Sequence, residues 1–340
     1  MEPLIDGATP IVGDAELCGA LEAALGDHRG AAVRVRALRR NLSAYRSSFA
    51  IEEIAVELDD GTALDLVFKN LSRQGLDERA RRAKPDFLYD PLREIETYRL
   101  ILSPAALGAP AFYGAEVEPQ QQRYWLFIEK VAGVELYQVG EFAVWQEAAR
   151  WLAQLHSRFG ESEELAAMAR AAHLLRCNES YYRVWMDRAR NFLGSRDRIG
   201  WLAARYQRVI ERLLALPQTF IHGEFYASNL LVQTTAEGLR VRPVDWEMAA
   251  MGPGLIDLAA LVAGNWTEAQ RAALAAAYHA ALTPDGQPPS PMDEFLIELD
   301  YCRLHVAVQW LGWFGRRRAF LPHARDWLGE AVVLAERLRL

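Results

Sequence analysis

Apolar and polar positions alternate along the early part of the chain and recur at helical spacing along the rest. From Ala32 to Asn70 the runs VRVRAL, FAIEEIAVEL and ALDLVFKN keep the period of two that marks half-buried strands. Asp59-Asp60-Gly61 supplies a tight turn between the second and third runs, so the three predict an antiparallel meander. GAPAFYGAEVE and RYWLFIEKV add two strands, for a five-stranded first lobe. A helix over Asp14 to Leu25, stopped by Gly26, precedes the sheet, and a second over Asp90 to Leu102 interrupts it, opened by Asp90-Pro91.

Beyond Gly133 almost every segment is spaced as helix. Glu141 to Phe159 is amphipathic through Phe142, Trp145, Ala149, Leu152 and Leu155 and ends at Gly160; Glu161 to Leu216 predicts two or three further helices. Helices follow over Leu255 to Ala263, Thr267 to Leu282, Asp293 to Arg316 and His323 to Leu338, with Thr283 to Pro291 as a linker. YCRLHVAVQWLGWF is apolar nearly all round, which predicts a buried helix. The expected organisation is α+β in two lobes, residues 1–130 holding the small antiparallel sheet and residues 131–340 mainly helical.

One stretch breaks the helical pattern. TFIHGEFYASNLLVQTTAEGLRVRPVDWE, Thr219 to Glu247, predicts a polar loop, a strand over Leu230 to Gln233, a turn over Thr234 to Gly238, and a strand over Leu239 to Val244. A turn centred on Glu237 sets Asn229 and Asp245 opposite each other at the open end of this hairpin. An amide oxygen and a carboxylate brought together suit magnesium, which takes hard oxygen ligands and completes its shell with water and phosphates. Glu224, five residues before Asn229, is left to face an acceptor.

With 340 residues and 51% hydrophobic positions the chain can bury a sizeable core. Its net charge of -7 argues against a general nucleic-acid binder and mildly suits cationic small substrates. Cys18, Cys177 and Cys302 are widely spaced with no C-x-x-C pair, which predicts neither disulfide framework nor zinc site and points to a reducing cytoplasm. The N-terminus has no apolar signal core, and no run is long enough to span a bilayer.

HGEFYASN and VDWE resemble the H-G-D-x-x-x-x-N loop and the following metal aspartate of the aminoglycoside phosphotransferase and choline kinase group, which has a protein-kinase-like fold; GPGLIDLAAL resembles the segment that comes next. The resemblance implies a small-molecule kinase that uses ATP and Mg2+ to phosphorylate a hydroxyl of an aminoglycoside-like antibiotic or another small metabolite, with Glu224 where the group usually has aspartate. It implies Glu224 as the catalytic base and Asn229 and Asp245 as metal ligands. For the nucleotide it implies Lys69 on the third strand, paired with Glu94 (Glu96 as the second choice), Ser48 or a neighbouring serine of NLSAYRSS, and the backbone of Glu129 and Val131 at the hinge. Asp257 is expected to brace the catalytic loop.

The glycine-rich loop and activation segment of protein kinases have no counterpart here, so protein substrates are not expected. The alternative is a nucleotide-binding protein of weak activity, because the extra methylene of Glu224 displaces its carboxylate and an error of about an ångström can cost roughly a hundredfold in rate. Taken singly, the candidates have plainer explanations: Lys69 as a solvated strand end, Arg73 to Lys84 as a solvated face, His156 as a core histidine, and Tyr181, Tyr182, Trp185 and Met186 as core or as the lining of an acceptor pocket. Asp293, Glu294, Glu298 and Asp300 are expected at the surface, with Glu247 set apart from them.

Overall fold

In the computed structural model, which describes residues 12–43, 48–160, 162–194, 197–282, 290–314 and 325–340, the alternating runs form one antiparallel sheet. Its strands are β1 (Val35–Leu42), β2 (Ile51–Leu58), β3 (Ala63–Asn70), β4 (Phe112–Glu118) and β5 (Arg123–Glu129), in the order β1-β2-β3-β5-β4. The chain divides into two compact units, Met1–Arg82 with Pro110–Lys130, and Ala83–Ala109 with Val131–Leu340. Residues 83–109, which sequence pattern places with the sheet, therefore group with the helical unit. The reason is a buried arginine in that segment, Arg93, whose hydrogen bonds go to the main chain of His173 and Glu247.

In the first unit, helix α1 (Asp14–Arg29) buries Leu17, Ala20, Leu21, Ala24 and Leu25 in one cluster with Ile54, Val56, Leu58, Leu66, Phe68, Trp125 and Phe127. Helix and sheet approach so closely that a Cβ on Gly114 would sit 2.6 Å from the Cβ of Ala24. Gly26 does not stop α1. The helix runs through it to Arg29 and ends at Gly30, whose left-handed φ of 67° an L side chain resists. A short helix, α2 (Glu78–Ala83), follows β3 in the chain.

The second unit opens differently from the single helix expected over 90–102. One turn of α-helix, α3 (Arg93–Glu96), widens into π-helix over Thr97–Leu102 before α4 (Ser103–Ala105). Ser103 N–H reaches back five residues to Tyr98 O, and Pro104, with no N–H of its own, cannot continue an ordinary ladder.

The rest is built on α5 (Phe142–Arg158), α6 (Glu163–Ala171), α7 (Glu179–Leu193), α8 (Asp197–Ala203), α9 (Tyr206–Leu214), α10 (Leu255–Leu261), α11 (Glu268–Ala281), α12 (Met292–Phe314) and α13 (Trp327–Arg337). Four helices, not two or three, fill residues 163–214. Side chains of Ser162 and Asn178 cap α6 and α7, and these short breaks do not interrupt the apolar spacing. Helix α12 is buried at every position from Cys302 to Gly312, as its nearly continuous apolar run there predicts. The linker expected at Thr283–Pro291 lies mostly outside the described residues. No helix among those described is long and apolar enough to cross a membrane.

Two small sheets hold the loop region. One joins β6 (Val134–Glu135), β9 (Leu230–Thr235) and β10 (Gly238–Pro243) in the order β10-β9-β6; the other joins β7 (Leu175–Arg176), β8 (Gln218–Ile221) and β11 (Ala250–Pro253) in the order β7-β11-β8. Strands of two to four residues carry too few positions to show a period, so β6, β7 and β11 escape sequence reading.

Candidate functional site

Strand β8 delivers the chain to His222, and buried hydrogen bonds fix the loop from that point on. Asp257, at the start of α10 and fully buried, accepts the N–H of His222 at 2.6 Å on Oδ2 and that of Gly223 at 2.8 Å on Oδ1. His156 Nε2 lies 3.4 Å from the same carboxylate, and His156 Nδ1 lies 2.8 Å from the Tyr278 hydroxyl. His156 is thus a partnered core histidine, and Asp257 ties the loop to α5 and α10.

Gly223 has φ of 84°, and a Cβ there would fall 2.2 Å from Met248 O, so only glycine fits. His222 accepts the Glu224 N–H on Nδ1 at 3.3 Å, which leaves its Nε2–H to donate to Val244 O at 2.9 Å. Both ring nitrogens bond the main chain, so His222 shapes the loop.

Glu224 is half-buried between β8 and β9. Burial first, then the charges of Glu247 and Asp245, push its carboxyl up to about 8, against a smaller opposing pull from Lys84. Burial also pushes the phenols of Tyr181 and Tyr226 up, with the charge of Glu224 among the lesser causes. Tyr226 packs on Trp310 of α12 with ring centroids 5.1 Å apart. The aromatic residues of α7, Tyr181, Tyr182 and Trp185, are buried in the core, Tyr181 against Tyr182, Trp185 and His305.

The hairpin forms, with its register shifted by one from the expectation. The turn is two residues, Ala236 and Glu237, so Thr235 pairs with Gly238 and the ladder ends at Leu230 opposite Pro243. Asn229 therefore faces Val244, whose N–H donates to Asn229 O at 2.9 Å, and Asp245 lies one position beyond the pairing. Asp245 then takes φ of 65°, a left-handed conformation that costs a non-glycine residue about 1 kcal/mol or more. The Asn229 side chain donates Nδ2–H to Glu224 O at 2.9 Å, which turns its Oδ1 away from the loop main chain. The amide oxygen of Asn229 and the carboxylate of Asp245 are hard-oxygen donors of the kind Mg2+ takes. Among the described residues no group of three or more His, Cys, Asp or Glu side chains is gathered so as to hold a metal by itself.

Two cations without a sequence signal bond to Glu247, two residues after Asp245. Lys84, whose surroundings in sequence suggest a solvated face, is buried, with Nζ 2.6 Å from Glu247 Oε2. Arg93 donates to the carbonyls of Leu88, His173 and Glu247, at 2.8, 2.9 and 2.9 Å. Glu94, expected to serve the nucleotide, has Oε1 accepting the Trp246 N–H at 3.3 Å; Glu96 meets Arg99 at 2.5 Å on a partly exposed face. No local pattern marks Lys84 or Arg93, because their Glu247 partner lies more than 150 residues away in sequence.

The remaining candidates belong mostly to the first unit. Lys69 on β3, between Ile51 and Leu126 in the sheet, is 2% exposed and so is no solvated strand end. Ser48 O accepts the Asp77 N–H at 3.0 Å, and Ser43 donates to Glu53 at 2.8 Å; Ser47 lies outside the described residues. The Glu129 N–H is spent on Ala111 O at 2.8 Å and its carboxylate accepts the Ala111 N–H at 3.0 Å, so a nucleotide contact from Glu129 would run through its carbonyl. Val131, in the second unit, is buried. Of the acids expected at the surface, Asp300 is buried and bonded to Arg303, and Glu298 is half-buried and paired with Arg212.

Comparison with known proteins bears on this site. Residues 79–295 match the model of the phosphotransferase enzyme family. Among solved structures the chain is similar to the choline kinase from Cryptosporidium parvum Iowa II, with 14% identity, a TM-score of 0.55, and 89% of this chain and 88% of that one covered. It is similar to the GDP complex of wild-type aminoglycoside 2'-phosphotransferase-IIIa, with 14% identity, a TM-score of 0.53, and 90% and 93% covered. It is also similar to macrolide 2'-phosphotransferase type I, with 18% identity, a TM-score of 0.52, and 96% and 98% covered. At these identities the likeness is one of fold, and the fold is the kinase-like one. The comparison with curated protein sequences found no significant match.

Proposed function

This chain belongs to the phosphotransferase enzyme family, a group of enzymes that phosphorylate hydroxyls of small molecules, and from that premise we propose that it moves the γ-phosphoryl of ATP onto a hydroxyl of a small metabolite or antibiotic. The carrying observation is the position of Glu224, on a loop braced through Asp257, with its main-chain carbonyl bonded to the side chain of Asn229, which itself faces Val244 just before Asp245.

In the proposed reaction the acceptor oxygen bonds to the γ-phosphorus as the bond from that phosphorus to the β,γ-bridging oxygen breaks. ADP leaves, and the hydroxyl proton passes to the Glu224 carboxylate. Such transfer runs through a loose transition state, so the protein's share is positioning and charge. Asp257 and His222 hold the loop main chain, and Glu224 aims at the acceptor oxygen. Asn229 Oδ1 and the Asp245 carboxylate would hold Mg2+, which when bound neutralises charge on the phosphates. Lys69, Glu94, Ser48, Glu129 and Val131 are proposed for the nucleotide, Lys69 as the cation for its phosphates.

A second reading, a nucleotide-binding protein of weak activity, draws on the raised proton affinity of Glu224, which keeps that carboxyl protonated near neutrality in the unliganded chain. One experiment separates the two. ATP consumption is followed against a panel of hydroxylated metabolites, aminoglycosides and macrolides for wild type, Glu224→Ala and Asp245→Ala, alongside thermal shift with ATP and Mg2+. Turnover on at least one acceptor, lost in both variants, is the expected result. A Mg2+-dependent shift with ATP but no turnover on any acceptor refutes the first reading in favour of the second; no shift refutes both.

A further inference from the structure

Asp245 stands in a conformation that a non-glycine residue keeps only when its surroundings impose it. The two residues after it are gripped at three points, all from the segment 84–94. Glu94 Oε1 accepts the Trp246 N–H at 3.3 Å, Arg93 Nη1 donates to Glu247 O at 2.9 Å, and Lys84 Nζ meets Glu247 Oε2 at 2.6 Å. The Trp246 ring is fully buried, stacked on Phe220 at 5.4 Å and tilted against His222 at 4.4 Å, so the backbone between these contacts has little room to turn.

Burying two cations at this place is costly unless it secures something. Arg93 is 4% exposed, and its guanidinium donates to three main-chain carbonyls from separate parts of the unit, those of Leu88, His173 and Glu247. The planar fork reaches His173 O through Nε and Leu88 O and Glu247 O through Nη1, a fixed spacing of donors that the single nitrogen of a lysine does not reproduce. The Lys84 side chain is 4% exposed and that of Glu247 10%, so this pair is held away from the solvent that would otherwise loosen it.

We propose that Lys84 and Arg93 are positioning residues for the divalent cation, latching Trp246 and Glu247 so that Asp245 keeps its left-handed conformation and presents its carboxylate beside Asn229. The inference rests on the reading of Asp245 as a cation ligand. Groups that orient a metal ligand from behind typically matter by roughly 10- to 100-fold in metal affinity.

The test is Mn2+ binding, followed by electron paramagnetic resonance with and without ADP, for wild type, Asp245→Asn, Arg93→Lys, Lys84→Met and Lys84→Arg. ADP affinity in EDTA and cooperative thermal melting are recorded for each. Arg93→Lys and Lys84→Met are expected to weaken Mn2+ binding by about 10- to 100-fold while ADP affinity in EDTA stays within about twofold, and Lys84→Arg to recover most of the loss. Where Lys84→Met fails to melt cooperatively, Lys84→Met/Glu247→Gln, which leaves no lone buried charge, replaces it and should show the same loss. Folded variants that bind Mn2+ as wild type does overturn the latch while leaving the cation site standing. Wild type binding Mn2+ no more tightly than Asp245→Asn overturns the cation site, and the latch with it.

Discussion

Replacing Glu224 by glutamine tests the electrostatics of the site in the unliganded protein. Burial and the charges of Glu247 and Asp245 raise the carboxyl from an ordinary value of 4.5 to about 8. A group whose folded value is raised gives stability that is fully present below its unfolded value and lost as pH climbs through the folded one. The window is therefore pH 4.5 to about 8, with wild type losing stability relative to Glu224→Gln across it and the difference flat above. That span corresponds to at most about 5 kcal/mol at 1.36 kcal/mol per pH unit, and solvent screening of the exposed part of this half-buried side chain reduces it to roughly 2–4 kcal/mol. Urea denaturation of both proteins at pH 5.0, 6.5 and 8.5, in EDTA and without nucleotide, measures the difference; titrating groups remote from Glu224 cancel between them, and the coupled acids Asp245 and Glu247 are part of what is measured. A difference that does not change with pH, or that moves in wild type's favour as pH rises, would refute the account of Glu224 as a carboxyl crowded by two other acids.

Gly223→Ala combines a left-handed backbone with a Cβ 2.2 Å from Met248 O, so the loop must shift by about an ångström; turnover should fall roughly a hundredfold, more than the thermal midpoint suggests, and turnover within threefold of wild type would count against the fit. Asp257→Ala strands the buried N–H groups of His222 and Gly223, at about 1–3 kcal/mol each, and should lower unfolding free energy by about 3–5 kcal/mol in denaturant titration. A loss under about 1 kcal/mol would mean the loop has other support. Glu224→Asp, which restores the side chain usual in the family, withdraws the carboxylate by about one carbon–carbon bond and should reduce kcat by about tenfold or more with little change in nucleotide affinity; an increase in kcat would show that the acceptor sits deeper than the glutamate implies.

Local chemistry determined much of this protein. The period of two over Ala32 to Asn70 yields the first three strands, because alternation follows which face is buried, and the short apolar run in RYWLFIEKV yields a strand buried on both faces. The nearly continuous apolar run from Tyr301 to Phe314 announced the burial of the second half of α12, and the spacing of His222, Glu224, Asn229, Asp245 and Asp257 marked the loop that the structure braces through Asp257. Tertiary structure decided the rest. The hairpin turn has two residues, which moves Asn229 opposite Val244 and leaves Asp245 one position beyond the pairing, in a left-handed conformation. Lys84 and Arg93 carry no local mark, since burying a cation is favourable only where distant segments supply a carboxylate or a fan of carbonyls, and such partners exist only after the chain has folded.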